Sequence, residues 1–363
     1  MLYNWQQADW PVFSFELGGL QEALMLFADK AGQVNGMLKG LPESICQDAV
    51  IDVMLAEAIK TSQIEGEYLS RSDVVSSLRN QLGLNVPVEP VRDLAARGIA
   101  ELMMDVRGSW QEKLSKESLF YWHSMIMKGS TGVLVGQWRE LGDPMQVVSG
   151  RAGRSKVHFE APPACQVAKE MDSFLKWFND SASEIKQAPV RAALAHLYFE
   201  SIHPFEDGNG RVGRAIAEKA LSQGLGRPVL LSLSRTIEAN RNDYYEALET
   251  AQKSNRVTDW VRYFVHLVSR AQVAAEEQVE FVLCKTKFFD RHQDNLNDRQ
   301  LKVVRRMLKE GADGFKGGMN ARKYLAITKI SKATATRDLI ELVELGVLVS
   351  IGGGRSTRYQ LDL

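Results

Sequence analysis

Residues 203–214 run His-Pro-Phe-Glu-Asp-Gly-Asn-Gly-Arg-Val-Gly-Arg, and no other stretch of the chain concentrates so many groups able to do chemistry. His203 can take a proton near neutral pH. Pro204 fixes the backbone immediately after it. Gly208, Asn209 and Gly210 form a small loop whose backbone N–H groups can be aimed at an anion. Arg211 and Arg214 lie three apart at the start of the next expected helix, so they share a face. The N-terminus of that helix adds partial positive charge. Asp207 suits Mg²⁺, a hard cation that prefers oxygen ligands and keeps its waters. The chemistry of such a set is phosphate binding with a base and a carboxylate alongside.

Two other readings of the segment are weaker. Gly208 to Gly213 fits G-x-G-x-x-G, but a dinucleotide fingerprint follows a strand within a βαβ unit. Here residues 191–202, RAALAHLYFESI, have helical character. A zinc site from His196, His203 and Asp207 lacks HExxH or any familiar ligand spacing.

The full run matches HPFx[D/E]GNGRxxR at every specified position and so resembles the Fic family, over roughly residues 115–255. That resemblance implies an α-helical core with a β-hairpin flap, and transfer of AMP from ATP to a Ser, Thr or Tyr hydroxyl of a protein. It implies that His203 is the catalytic base and that Asp207 holds Mg²⁺ against the α- and β-phosphates. Gly208, Asn209 and Gly210 would line the α-phosphate anion hole. Arg211 would contact phosphates, and Arg214 would grip the γ-phosphate. The hairpin near Val147–Pro163 resembles the family flap, which clamps a target as an added strand. Its contacts would come from Val148, Ser149 and Gly150. Residues 241–252, RNDYYEALETAQ, resemble the adenine side, with Tyr244, Tyr245 and Gln252 as the contacting residues.

Thr61-Ser62-Gln63-Ile64-Glu65-Gly66 matches the family's inhibitory pattern [S/T]xxxE[G/N]. Thr61 and Glu65 are four apart and face the same way from a helix end. The resemblance implies that Glu65 pairs with Arg214 and removes it from the γ-phosphate; a bidentate Arg–carboxylate pair suits such competition. In some relatives the same glutamate positions a water for removal of AMP. The opening LYNWQQADWPVFSFE resembles the start of a bacterial Fic group that combines an N-terminal inhibitory helix with a terminal winged helix. Homodimers are common in that group.

The elements that must hold these residues are mainly helical. Residues 1–20, with Trp5, Trp10, Pro11, Phe13 and Phe15, read as an extended aromatic arm that must pack on something. Helical patterning covers residues 15–33, 48–65, 92–107 and 115–128, and it resumes from about Gln166 to Ser201. In the second of these, Ile51, Leu55 and Ile59 form one face, and Gly66 is a stop signal. Residues 80–91 are a loop by their Gly, Asn and Pro content. Residues 143–163 hold two β-type pieces around a basic, Gly-containing turn, a hairpin inside a helical protein. A further helix begins near Gly208, and a long one covers roughly 257–290.

The last segment predicts helices near 298–309, 320–327 and 331–345, then two β-type runs joined by Gly352, Gly353 and Gly354. That is the pattern of a winged helix (α+β). The division predicted is an N-terminal helical region at 1–110 carrying the inhibitory helix at about 48–66, a catalytic core at 111–290, and a winged helix at 291–363.

The chain has 363 residues and a formal net charge of zero, so only a local patch could draw it to nucleic acid or a membrane surface. Residues 296–363 supply one: 13 Lys/Arg stand against 7 Asp/Glu, a surplus of six. Ser331, Thr334 and Arg337 lie near the start of the recognition-type helix, with Arg355 and Arg358 on the wing. Such a module contacts DNA phosphates or docks another protein. Three widely spaced cysteines, Cys46, Cys165 and Cys284, make no disulfide framework and read as buried or half-buried thiols. With no signal-peptide core and no membrane-length apolar run, the expectation is a cytoplasmic protein. Two classes of function remain open: an adenylyltransferase, or a de-AMPylating relative of it, and a DNA-binding regulator that uses the core as a nucleotide sensor.

Overall fold

The computed structural model describes residues 2–140, 144–149, 156–311 and 314–363. Its helices are α1 (Gln21–Lys39), α2 (Glu43–Ile64), α3 (Arg71–Gln81), α4 (Leu94–Gly108), α5 (Lys116–Ile126), α6 (Ala164–Glu184), α7 (Ala188–Ile202) and α8 (Asn209–Leu225). They continue as α9 (Leu233–Ala239), α10 (Arg241–Ala251), α11 (Thr258–His292), α12 (Asp298–Leu308), α13 (Ala321–Thr328) and α14 (Lys332–Glu344). The strands are β1 (Gln146–Ser149), β2 (Lys156–Glu160), β3 (Leu348–Ile351) and β4 (Arg358–Leu361), which form two separate antiparallel pairs. Two compact units emerge, residues 1–35 with 50–275, and residues 36–49 with 276–363.

In the first unit α7 is the central element: all of Ala188–Ile202 is buried. A helix buried on every face belongs to the middle of a layered core rather than to a surface. The single helical stretch expected over 166–201 is two helices, because the chain breaks at Ile185 and restarts with Pro189 in the first turn of α7. Proline is at home there, where its missing N–H has no acceptor to lose. α3 was not foreseen; Ser70 caps it by accepting the Asp73 N–H.

The aromatic arm finds its partners along α7 and the flap. Trp10 and Phe13 meet the ring of Tyr198 edge-on at 5.0 and 5.6 Å. The Asn4 side chain donates to the Ser201 hydroxyl at 2.8 Å, and the Trp5 indole N–H donates to the Glu160 carbonyl at 2.7 Å. The arm therefore ties the root of β2 to the end of α7.

The second unit packs Val303, Met307, Tyr324, Leu339, Leu342 and Leu348 into one core. Three helices precede the β3–β4 pair, whose register sets Leu348 opposite Leu361. Buried Asp338 accepts from the Tyr324 hydroxyl at 2.9 Å and from Arg299, which satisfies a charge that would otherwise be costly. Cys165 and Cys284 are exposed rather than buried, and all three cysteines are free thiols. Both exposed thiols sit on solvent-facing positions of long helices, where a small residue has nothing to pack against. Among the described residues no helix is long and apolar enough to cross a membrane.

Candidate active site

α7 ends in an enforced turn. Pro204 cannot continue the helix, and His203 takes the left-handed conformation, φ 51° and ψ 61°, as its C-terminal cap. That region costs a non-glycine residue about 1–2 kcal/mol, so the surroundings must hold it. Arg139 does so. Its Nε donates to the His203 carbonyl at 2.8 Å, its guanidinium also reaches the carbonyls of Pro162 and Ile202, and its backbone N–H donates to the Pro204 carbonyl at 2.9 Å. Burial pulls the Arg139 guanidinium down to about 10. Its carbonyl partners thus anchor both the base-bearing turn and the end of the flap.

The loop after His203 is wired internally. The Asn209 side chain exchanges two hydrogen bonds with the backbone of Phe205, at 2.9 and 2.8 Å. Asn209 is therefore a clamp on the loop. His123 stacks flat on Phe205 at 4.0 Å, accepts the Gly136 N–H at Nδ1, and donates from Nε2 to the Asp207 carbonyl at 3.1 Å. Gly208, at φ +82°, starts α8 where a Cβ would lie 2.7 Å from Ile126 Cδ1. No side chain caps α8, so its first amides are free to bind an anion.

The two arginines are already engaged. Arg214, almost wholly buried, donates from Nε to the Thr61 hydroxyl at 2.7 Å. Its NH2 donates to the Thr61 carbonyl at 3.0 Å and to Glu65 Oε1 at 2.8 Å. Burial works against this guanidinium, but Glu65 outweighs it and the group is shifted up, firmly charged. The pairing is not the bidentate fork expected from the sequence. Thr61 occupies the Nε–NH2 edge of the guanidinium, and one Glu65 oxygen shares NH2 with the Thr61 carbonyl. Glu65 Oε1 also lies 2.4 Å from where a Cβ on Gly210 would be, so the carboxylate stands inside the anion site.

Gly66 makes this placement. At φ +85° it ends α2 with paired bonds, Gly66 N–H to the Gln63 carbonyl at 3.1 Å and Glu67 N–H to the Ser62 carbonyl at 2.9 Å. The turn brings a second acid into reach: Glu67 Oε2 accepts from Arg211 NH1 at 2.7 Å. Arg211 is buried, with Asp207 Oδ1 3.6 Å from its NH2. Glu67, Arg139 and His123 carry no signal in the motif and emerge only from the fold.

A cavity of about 760 Å³ opens beside these groups, a size that suits a small ligand. Asp207, more than half exposed, uses Oδ1 to accept the Gly208 N–H at 2.6 Å. One exposed carboxylate next to an anion site fits a Mg²⁺ ion carried in by substrate phosphates. Among the described residues no cluster of three or more His, Cys, Asp or Glu could hold a metal by itself.

The remaining expected residues divide. Tyr244, Tyr245 and Gln252 all line the cavity. Tyr244 is buried with its hydroxyl 2.7 Å from His196 Nε2, and Gln252 donates to the Glu200 carbonyl at 3.1 Å, so both also serve the core. Tyr245 is partly open, with Arg241 over its ring at 5.5 Å. Val147 and Val148 of β1 face the cavity and Val148 is exposed, while Ser149 pairs with Lys156 across the hairpin. Gly150 lies outside the described residues.

Helix ends, an uncapped helix start and two buried arginines gather beside one cavity on a mainly helical scaffold with a β-hairpin. Residues 113–221 match the Fic/DOC family. Residues 3–84 match a domain of unknown function, DUF4172. A protein adenylyltransferase Fic of Nematostella vectensis is 28% identical over 181 residues, covering 48% of this chain and 39% of that protein. Another, of Drosophila yakuba, is 31% identical over 134 residues, 36% of this chain and 25% of its own length. The chain thus spans well under half the length of these relatives. A crystal structure of a Fic family protein from Desulfovibrio desulfuricans superposes over 97% of this chain with a TM-score of 0.53 at 18% identity. A Fic domain containing signaling protein from Bacteroides thetaiotaomicron covers 71% of the chain with a TM-score of 0.54 at 17% identity.

Proposed function

We propose that the protein transfers AMP from ATP to a Ser, Thr or Tyr hydroxyl of a protein, and that the Glu65–Arg214 contact holds this activity down. The observation that carries the reading is the open start of α8 flanked by His203 and Arg214, with Glu65 seated within it. In the reaction His203 takes the proton of the target hydroxyl. The hydroxyl oxygen bonds to the α-phosphorus, the bond to the β-phosphate oxygen breaks, and pyrophosphate leaves. Backbone N–H groups at the start of α8 hold the α-phosphate oxygens, and stabilising the charge that builds there is the main catalytic effect. Asp207 would hold a Mg²⁺ ion, which neutralises phosphate charge. Burial holds His203 down at about 4, with Arg139 adding to the effect, so the imidazole stays neutral and able to accept a proton at physiological pH.

Arg214 would grip the γ-phosphate once Glu65 leaves. Until then the guanidinium is satisfied elsewhere, and ATP binds without its clamp. A hydrogen bond to a charged partner is worth about 1.5–3 kcal/mol, so freeing Arg214 should raise transfer roughly 10- to 100-fold. The test is intact mass after incubation with ATP and Mg²⁺. Glu65→Gly should gain AMP, the wild type less, and Glu65→Gly/His203→Ala none. Equal labelling of wild type and Glu65→Gly would remove the brake.

The position of Glu65 against Gly210 also supports the reverse reaction, with Glu65 orienting a water for AMP removal. Loss of AMP from a modified protein on adding wild type but not Glu65→Gly would select it. In the second unit, helix-helix-helix-hairpin with Ser331 and Arg337 exposed supports a winged helix that contacts DNA or a protein partner.

A further inference from the structure

Glu200 belongs to α7, one helical turn before His203, and nothing in the inhibitory or phosphate-binding sets uses it. It is 5% exposed. Its Oε2 lies 3.7 Å from His203 Nδ1, and the ring of His203 lines the cavity. His203 Nδ1 and Glu200 Oε1 are both buried without a hydrogen-bond partner. Nδ1 faces Oε2, while Oε1 is turned toward Gly213; a buried imidazole nitrogen and carboxylate left this incompletely paired are costly. They are also what an unliganded catalytic pair looks like, since such contacts tighten only in the reacting complex. Glu200 is not free to wander: a Cβ on Gly213 would lie 2.4 Å from Oε1, so α8 walls the carboxylate in.

We infer that Glu200 is the positioning residue for His203, accepting a hydrogen bond from Nδ1–H so that Nε2 is bare and directed at the target hydroxyl. The inference rests on the adenylyltransferase reading for its catalytic consequence, though not for its geometry. A base oriented by a buried carboxylate is a general arrangement: the acid fixes the tautomer and stabilises the imidazolium once the proton has moved. Four elements place titratable or charged groups around this carboxylate. They are His196 and His203 on its own helix, Arg214 on α8, Glu65 at the end of α2, and Tyr244 on α10. Burial pushes Glu200 up to about 8, against the pull of Arg214 and with the help of Glu65. Departure of Glu65 therefore favours the carboxylate form that accepts from Nδ1, and releasing the brake also prepares the base.

Two measurements test this. The ¹⁵N spectrum of the His203 ring, assigned by its loss in His203→Ala, is read at pH 9, above the Glu200 value of about 8. The expected wild-type pattern has Nδ1 protonated and Nε2 bare, and Glu200→Gln should lose that pattern. The second measurement is kinetic, in the Glu65→Gly background. Glu200→Gln should lower kcat about 10- to 100-fold, the lower part of the range for a proton-transfer catalyst, with KM for ATP within about twofold. An Nε2-protonated ring in the wild type, an unchanged spectrum in Glu200→Gln, or an unchanged kcat overturns the inference. If Glu65→Gly itself transfers no AMP, the functional reading fails while the spectrum still decides the role of Glu200. Should Glu200→Gln not fold, Glu200→Asp, which withdraws the same charge by one methylene, must show the same loss.

Discussion

His203 and Arg214 stand at the two ends of one motif, and their side chains are in opposite conditions. Arg214 is engaged, with Thr61 and Glu65 taking its Nε and NH2. His203 makes no side-chain hydrogen bond at Nδ1, and its backbone, not its ring, is what the neighbours hold. In the proposed reaction the imidazole is already in place, whereas the guanidinium that would clamp phosphate is held by the protein's own acid. On the proposed reading the restraint acts first on the phosphate clamp, and a change that frees Arg214 should raise activity while the backbone that places His203 stays as it is.

The largest effect should come from the waiting end. His203→Ala in the Glu65→Gly background removes the base, a loss of about 10²–10⁴-fold in kcat. ATP affinity, read by calorimetry, should change by less than about threefold, because the amides of α8 and the arginines remain. A parallel collapse of ATP binding would mean that His203 holds the nucleotide rather than the proton.

The occupied end divides into smaller contributions. Thr61→Val keeps shape and removes the hydroxyl that accepts from Arg214 Nε. A neutral hydrogen bond is worth about 0.5–1.5 kcal/mol, so basal AMP transfer should rise roughly 2- to 10-fold, less than in Glu65→Gly. Glu67→Gln tests the neighbouring pair with Arg211. Glu67 is about one-third exposed and its pairing is screened, so a gain of only about two- to threefold is expected in the same assay. A Glu67→Gln gain as large as that of Glu65→Gly would place the main restraint on Arg211 and break the comparison.

Local pattern made one of these ends readable and hid much of the other. The motif at 203–214 and the Thr61–Glu65 spacing are each contiguous, and the structure brings Thr61, Glu65 and Arg214 together. Gly66 announced the end of α2, and the structure uses it for the turn that sets Glu65 in place. Arg139 and His123 lie 64 and 84 positions from the groups they hold. No periodicity or spacing reveals a contact made by folding over that distance. Asn209 shows the converse: its place in the motif is plain, but the use of its side chain as a clamp on Phe205 needs coordinates. The helical stretch at 166–201 read as continuous because the three-residue break at 185–187 carries no glycine, and Pro189 falls just inside the new helix.

The dependence of stability on pH, read apart from activity, probes both ends together. His196 and His203 are held at about 4 by burial, below the ordinary value of 6.5. Their unfolded forms bind protons more readily, so the stability they contribute is present above pH 6.5 and is lost as pH falls toward 4. Glu200 and Glu218 are pushed by burial up to about 8 from 4.5. Their folded forms keep the proton, so their contribution is present below pH 4.5 and is lost as pH rises toward 8. Between 4.5 and 6.5 the two opposing pairs cancel, which predicts a plateau in melting temperature there and a decline on either side. Each uncompensated proton tilts stability by about 1.4 kcal/mol per pH unit, so the alkaline limb should fall by about 1–3 kcal/mol per unit between pH 6.5 and 8. Glu218→Gln should halve that slope and turn the plateau between 4.5 and 6.5 into a rise with pH, because one histidine is then left uncompensated. Glu65→Gly should also soften the alkaline slope, because Glu65 contributes to holding Glu200 protonated. A melting temperature that instead climbs steadily from pH 6.5 to 8 would show that Glu200 ionises freely in the resting protein, and that the charge beside His203 is not under the influence of the acid that occupies Arg214.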